Sequence, residues 1–171
     1  ASSGTSRSSS SGSGSGSGSG NNNGSGSKRS AGNKRAVIEL TDANFNALVM
    51  ESTDHWLVEF YAPWCTHCQE LAPHYREAAK LLQEMDLPTP VVLAKYNDGD
   101  EYNRRLRAGS PEMYNYSAYP ALLVFQDGEH EFYRGGREPE DIVFYMSALA
   151  KGLDPRKEEE KQRPGLYKKE P

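Results

Sequence analysis

Cysteine and long apolar runs are scarce in this sequence of 171 residues. Only 2 residues are cysteine, which excludes the disulfide network of small secreted domains and leaves room for one pair. No run of about 18 apolar residues occurs, so we predict no membrane-spanning helix. No second pair of cysteine or histidine residues stands at ligand spacing, so we expect no metal site.

The first 35 residues lack acidic residues and, apart from alanine, apolar ones. They contain 14 Ser and 9 Gly, and such a segment cannot bury enough surface to offset the entropy of ordering its backbone. We therefore expect residues 1–35 to be a disordered linker, residues 36–155 to form one domain, and residues 156–171 to be a charged flexible tail. Because the N-terminus is polar throughout, we predict no signal peptide in it, and we expect from the flexible ends that this is one module of a longer chain.

Charge is divided unevenly along the chain. The total is −4, residues 1–35 carry +5 and residues 156–171 carry +2, so the predicted domain carries −11. Because phosphates repel an acidic surface, we expect no nucleic-acid partner for the folded part.

Hydrophobic periodicity predicts an α/β domain with a central mixed β-sheet flanked by helices. Elements alternate in the order β-α-β-α-β-α-β-β-α, which favours parallel strands, and Asp127-Gly128 predicts a hairpin that adds antiparallel ones. The predicted strands are Ala36–Leu40, His55–Tyr61, Val91–Tyr96, Ala121–Gln126 and Glu129–Tyr133. The predicted helices are 43–51, 65–85, 100–107 and one that starts near Glu138 and ends before Gly152.

Cys65-Thr-His-Cys68 follows a buried strand and opens a helix. The free N–H groups of a helix N-terminus favour a thiolate on Cys65, and protonated His67 stabilises it further. The spacing brings Cys68 round one turn, where it can attack a mixed disulfide formed at Cys65. The alternatives are that the two cysteines are purely structural or that they form part of a zinc site. The position of the pair at a helix start favours a redox-active pair over both.

Glu59 is the second unusual residue, because it lies within an otherwise apolar strand. An unpaired buried carboxylate is costly, so Glu59 must be paired, protonated or functional. With a raised pKa it could accept the proton of Cys68. Lys95 is equally unusual in its strand and is the expected partner of Glu59, and the two could also form a purely structural pair.

The segment from Leu57 to Cys68, followed by Leu71-Ala-Pro73, resembles the catalytic domain of the protein disulfide isomerase family, which has a thioredoxin fold. The resemblance continues through Leu93–Lys95, Tyr119-Pro120 and Gly136–Glu138 and covers nearly all of 36–155.

The resemblance implies a role for each matching residue. Cys65 would attack the substrate and Cys68 would resolve the mixed disulfide. Glu59 would accept the proton, with Lys95 as its ion partner, and Arg137 would lower the pKa of Cys68. Trp64, Thr66, Tyr119 and cis-Pro120 would contact the substrate, and the preceding backbone at Tyr119 would pair with it.

Two departures from the family pattern stand close to these residues. Thr66 replaces the usual glycine between the cysteines, and we expect this bulkier, β-branched residue to alter access to Cys65 and the redox potential. The stretch before Pro120 is about six residues longer than usual, and the extra loop is 108–118. Met113, Tyr114 and Tyr116 in this loop either contact a substrate or pack back onto the fold.

The resemblance implies a thiol–disulfide oxidoreductase or isomerase of the endoplasmic reticulum lumen. It would act on protein or peptide thiols and disulfides, with an upstream oxidase or glutathione as its redox partner. Its only redox group would be the Cys65–Cys68 disulfide, with no added cofactor. The alternatives are a thioredoxin-like reductase, which usually has proline in place of His67, and a redox-inert interaction module.

Overall fold

The computed structural model describes residues 36–100, 103, 109 and 115–164. These residues form a five-stranded sheet in the order β1-β3-β2-β4-β5. The strands are β1 (Val37–Leu40), β2 (His55–Tyr61), β3 (Val91–Asn97), β4 (Ala121–Gln126) and β5 (Glu129–Phe132). The α-helices are α1 (Thr66–Glu84), α2 (Pro139–Ala150) and α3 (Pro155–Gln162).

The sheet is mixed, as the alternation of elements and the hairpin signal predict. Strand β3 runs parallel to β1 and to β2, whereas β4 is antiparallel to both β2 and β5. The turn between β4 and β5 has positive φ at Asp127 (49°) and Gly128 (79°), the conformation for which this pair of residues is preferred. The thioredoxin-like architecture is confirmed.

Each face of the sheet has its own core. Leu57 on β2 packs with Leu71 and Tyr75 of α1 and with Ile142 of α2. Val58 and Phe60, which alternate with Leu57 along β2, point to the opposite face, where they pack with Phe45. Since Glu59 is two residues from Leu57, it lies on the face that α1 and α2 cover.

The predicted helix over residues 43–51 is shorter than expected. The structure has a π-helical turn at Asn46–Met50, closed by the Glu51 amide, which donates to the Asn46 carbonyl at 3.0 Å. Leu48 in this turn is exposed, whereas Val49 beside it is buried. Asn44 accepts from the Thr41 amide through its side chain, and this local bond competes with a regular first helical turn.

The prediction of a flexible tail from residue 156 is wrong over its first seven residues. Helix α3 begins at Pro155, with Asp154 as its cap accepting from the Arg156 amide at 3.0 Å. Pro155 is buried, and Arg163 forms an ion pair with Asp141 of α2 at 3.6 Å. A capped start with proline at its first position stabilises a helix despite the polar composition.

Most of the predicted helix at 100–107 lies outside the described residues, as do Met113 and Tyr114. Within the described ranges, no helix is long and apolar enough to cross a membrane.

Candidate active site

Cys65 and Cys68 form a disulfide at the start of α1, with their Cα atoms 5.3 Å apart. Both residues are buried, and they pack against Ala62 and Tyr119. Cys65 is the N-cap of the helix, and its Sγ accepts from the Cys68 amide at 3.2 Å. A backbone N–H directed at the sulfur stabilises a thiolate there once the disulfide is reduced.

The residues around the disulfide are unequally exposed. Trp64 is 73% exposed, and Thr66 and His67 are also on the surface. The His67 Nδ1 lies 3.1 Å from the Glu70 carboxylate, one helical turn later. A protonated His67 is thus held beside the N-terminus of α1, although its exposure to water screens its charge.

The Tyr119–Pro120 peptide bond is cis, as the resemblance implies. The Tyr119 ring meets the Trp64 ring edge-to-face, with centroids 5.8 Å apart. The loop before β4 and the loop before α1 are therefore in contact beside Cys65. This contact unites Trp64, Cys65, Tyr119 and Pro120 in one site.

Asp98 holds the loop that ends at Pro120. Its Oδ2 accepts the Tyr119 hydroxyl at 2.6 Å and the Tyr116 hydroxyl at 3.0 Å. The Tyr116 ring also packs on Phe60, with centroids 5.8 Å apart. Tyr116 thus packs back onto the fold. No local sequence signal identifies Asp98, because its partners are about twenty positions away in the chain.

Glu59 is 4% exposed and lies in the layer between the sheet and α1. Burial raises its pKa to about 7, although Lys95 and, more weakly, Arg137 favour its charged form. Within the described residues its carboxylate has no ion pair or hydrogen bond. A carboxyl group with this pKa exchanges its proton readily near neutral pH.

The expected ion pair between Glu59 and Lys95 is not formed. The two residues are register partners on β2 and β3, but the Lys95 ammonium lies 3.4 Å from the Glu39 carboxylate on β1. It also lies 5.3 Å from the centre of the Tyr61 ring. Glu39 is more exposed than Glu59, so a pair there costs less desolvation.

Arg137 lies in the loop before α2. It is exposed and lines a cavity of about 410 Å³ together with Pro120, Leu122 and Tyr133. The Tyr133 hydroxyl donates to the Gly136 carbonyl at 2.7 Å and so anchors the loop. Since Leu122 is the register partner of Glu59 on β4, Arg137 is within electrostatic reach of that carboxyl.

In the part of the chain that the structure describes, no group of three or more His, Cys, Asp or Glu residues could hold a metal ion. The redox-active group that the described residues present is the Cys65–Cys68 disulfide. A disulfide at a helix N-terminus, next to a cis-proline in a thioredoxin-like fold, defines a dithiol–disulfide exchange domain.

Comparison with known proteins agrees with that class. The thioredoxin family profile matches residues 36–148. Protein disulfide isomerase-like 1-4 of Arabidopsis thaliana is 43% identical over 114 residues, covering 67% of this chain and 17% of the relative. The protein disulfide-isomerase A6 homolog of Drosophila melanogaster is 42% identical over 117 residues, covering 65% and 24%.

A solved structure shows the same fold. The first thioredoxin domain of mouse protein disulfide-isomerase A4 superposes with a TM-score of 0.56 at 30% identity, covering 73% of this chain and 88% of that one. The chain belongs to the thioredoxin family and is a thioredoxin-fold domain of the protein disulfide isomerase type. It spans only about a fifth of the curated relatives just named.

Proposed function

We propose that the protein forms, breaks and rearranges disulfides in protein substrates through Cys65 and Cys68. The observation that carries this proposal is the position of the Cys65–Cys68 pair at the N-terminus of α1, beside cis-Pro120. The relatives named as disulfide isomerases support it. The endoplasmic reticulum lumen is the proposed compartment, since this exchange runs toward oxidation only in an oxidising environment.

The reaction proceeds in two exchanges. The Cys65 thiolate attacks one sulfur of a substrate disulfide, which forms a mixed disulfide and releases one substrate thiolate. Cys68 then attacks the Cys65 sulfur, which closes the Cys65–Cys68 disulfide and releases the second substrate thiol. The substrate gains two electrons and the protein loses two, and the reverse sequence oxidises a substrate dithiol.

Glu59 receives the proton that Cys68 must lose before the second exchange. Its burial on the face of the sheet that α1 covers and its pKa of about 7 support this role. Arg137, in the loop before α2, then stabilises the negative charge of the Cys68 thiolate. Lys95, which the resemblance makes the ion partner of Glu59, contributes at longer range, since its own ion pair is with Glu39.

Substrate contact falls to the residues that surround Cys65. Trp64 is exposed beside it, and Thr66 is on the surface one position after it. The backbone at Tyr119, which directly precedes cis-Pro120, is the segment that pairs with a substrate in this proposal. The redox partner is an upstream oxidase or glutathione, which restores the Cys65–Cys68 disulfide after oxidation of a substrate.

Recovery of ribonuclease activity tests this function. The purified chain is added to scrambled ribonuclease and to reduced ribonuclease in a glutathione buffer, and its insulin reduction is measured in parallel. We expect the chain to accelerate recovery in both ribonuclease assays relative to the buffer alone. The Cys65→Ser/Cys68→Ser variant should give no acceleration. Insulin reduction without ribonuclease recovery would assign the chain to the reductases, and inactivity in all three assays would contradict the proposal.

A further inference from the structure

Three charged residues form a row across neighbouring strands on the face that α1 covers. Glu39 on β1 is the register partner of Lys95 on β3, and Lys95 is in turn the register partner of Glu59 on β2. Register partners point to the same face of a sheet. Lys95 therefore stands between two carboxylates, one half-exposed and one buried.

The contacts of the Lys95 ammonium are on the β1 side of this row. Its Nζ is 3.4 Å from the Glu39 Oε2 and 5.3 Å from the centre of the Tyr61 ring. The Tyr61 hydroxyl donates to the other Glu39 oxygen, Oε1, at 2.9 Å. Glu39 is thereby fixed by Tyr61 at one oxygen and holds the ammonium with the other.

We propose that Glu39 is a positioning residue, which holds the Lys95 ammonium at the β1 side of the row and so keeps it from pairing with Glu59. Without Glu39 the flexible lysine side chain turns toward its register partner on the other side, the Glu59 carboxylate. A paired Glu59 is a weaker base, because an opposite charge nearby favours its ionised form. This inference deepens the proposed function, since it rests on the role of Glu59 as proton acceptor.

The other groups around Glu59 do not replace Glu39 in this role. Strand β4 presents the apolar Leu122. Helix α1 presents Tyr75, whose hydroxyl donates to the Leu57 and Ala94 carbonyls at 2.7 and 2.8 Å. Arg137, in the loop before α2, is a second cation that acts on Glu59 in the same direction as Lys95. Among the described residues, Glu39 is the carboxylate that forms an ion pair with Lys95, while Asp100 acts electrostatically on the neighbouring Tyr61.

The test is a titration of the Glu59 carboxyl carbon by ¹³C NMR in the oxidised, full-length chain, with the signal assigned from Glu59→Gln. We expect Glu39→Gln to lower the midpoint by about 1 pH unit. Lys95→Met should raise the midpoint above that of the unmodified chain. In the Lys95→Met background, Glu39→Gln should add no shift, because its effect acts through the lysine.

The matched control is Glu84→Gln, which changes the net charge equally at the far end of α1, roughly 28 Å of helix from Cys65. It should leave the midpoint in place. An unchanged midpoint in Glu39→Gln would overturn the proposal, and so would an equal shift with and without Lys95. A direct field of Glu39 on Glu59 would produce that second result.

The titration uses no substrate, so its result does not depend on the proposed activity. The pH profile of scrambled-ribonuclease reactivation is then measured for the same variants. A profile that follows the Glu59 midpoint supports both proposals. A shifted midpoint with an unshifted profile supports the positioning role of Glu39 and contradicts the role of Glu59 as proton acceptor.

Discussion

Glu59 and Lys95 are register partners on adjacent parallel strands, yet no ion pair joins them. The carboxyl of Glu59 is buried beneath α1. The ammonium of Lys95 forms an ion pair with Glu39 on the edge strand β1. A buried carboxyl group kept apart from its nearest cation retains a pKa near neutrality. This separation supports the proposed role of Glu59 as a proton acceptor over a purely structural pair.

Replacement of Glu59 by glutamine should stabilise the oxidised protein at alkaline pH. The folded-state pKa of about 7 lies above the ordinary value of 4.5, so the folded state resists ionisation of Glu59. That cost is absent below about pH 4.5 and complete above about pH 7, where it reaches about 3 kcal/mol. Urea unfolding at pH 4.5 and pH 8 should show Glu59→Gln more stable than the unmodified chain only at pH 8.

The same variant should also turn over more slowly, because glutamine cannot accept the proton of Cys68. Reactivation of scrambled ribonuclease at pH 7 measures this loss. Turnover equal to that of the unmodified chain would reduce Glu59 to a structural role. Glu84→Gln, at the exposed end of α1, is the control for both measurements.

Asp98 should contribute measurably to stability through the two tyrosine hydroxyls that it accepts. Asp98→Ala removes both bonds to a charged acceptor and should cost about 2 kcal/mol in free energy of unfolding. Asp86→Ala, in an exposed loop, should cost much less. Urea unfolding of Asp98→Ala, Tyr119→Phe and the double variant tests the contact, since losses that simply add would show that Asp98 and Tyr119 are uncoupled.

His67 should make the Cys65–Cys68 disulfide more oxidising, because the charge of its protonated form stabilises the reduced, thiolate form. His67→Ala should therefore shift the reduction potential to a more negative value. A shift of about 30 mV corresponds to a tenfold change in the equilibrium constant. Equilibration in glutathione buffers measures it, with His74→Ala on the same helix as the control. A shift to a less negative value would contradict the claim that His67 stabilises the reduced form.

The sequence predicts the sheet and α1 well, because their signals are local and strong. His55–Tyr61 is apolar on both faces, which is typical of a central strand, and β2 occupies the centre of the sheet. Helix α3 escaped prediction because its stability depends on the Asp154 cap and on a contact with α2 through Arg163. A polar composition says little about such tertiary contacts.

In the candidate site, too, the features with a local sequence signal were predicted and those that depend on tertiary contacts were not. The disulfide and the cis bond before Pro120 match the residues that the motif identifies. The ion-pair partner of Lys95 does not match the prediction. Whether Lys95 pairs with Glu39 or with Glu59 depends on how deeply each carboxylate is buried, across three strands of the sheet. The sequence shows both acids but contains no local signal for which of them the lysine prefers.

The most direct test of dithiol exchange is to trap the mixed disulfide with a substrate. Cys68→Ser cannot perform the second exchange, so it should accumulate covalent complexes in which a substrate cysteine is bonded to Cys65. Non-reducing electrophoresis and peptide mass spectrometry detect and locate that bond. Complexes with Cys68→Ser and none with Cys65→Ser would establish Cys65 as the attacking thiol. Equal trapping by both variants, or by neither, would contradict the account.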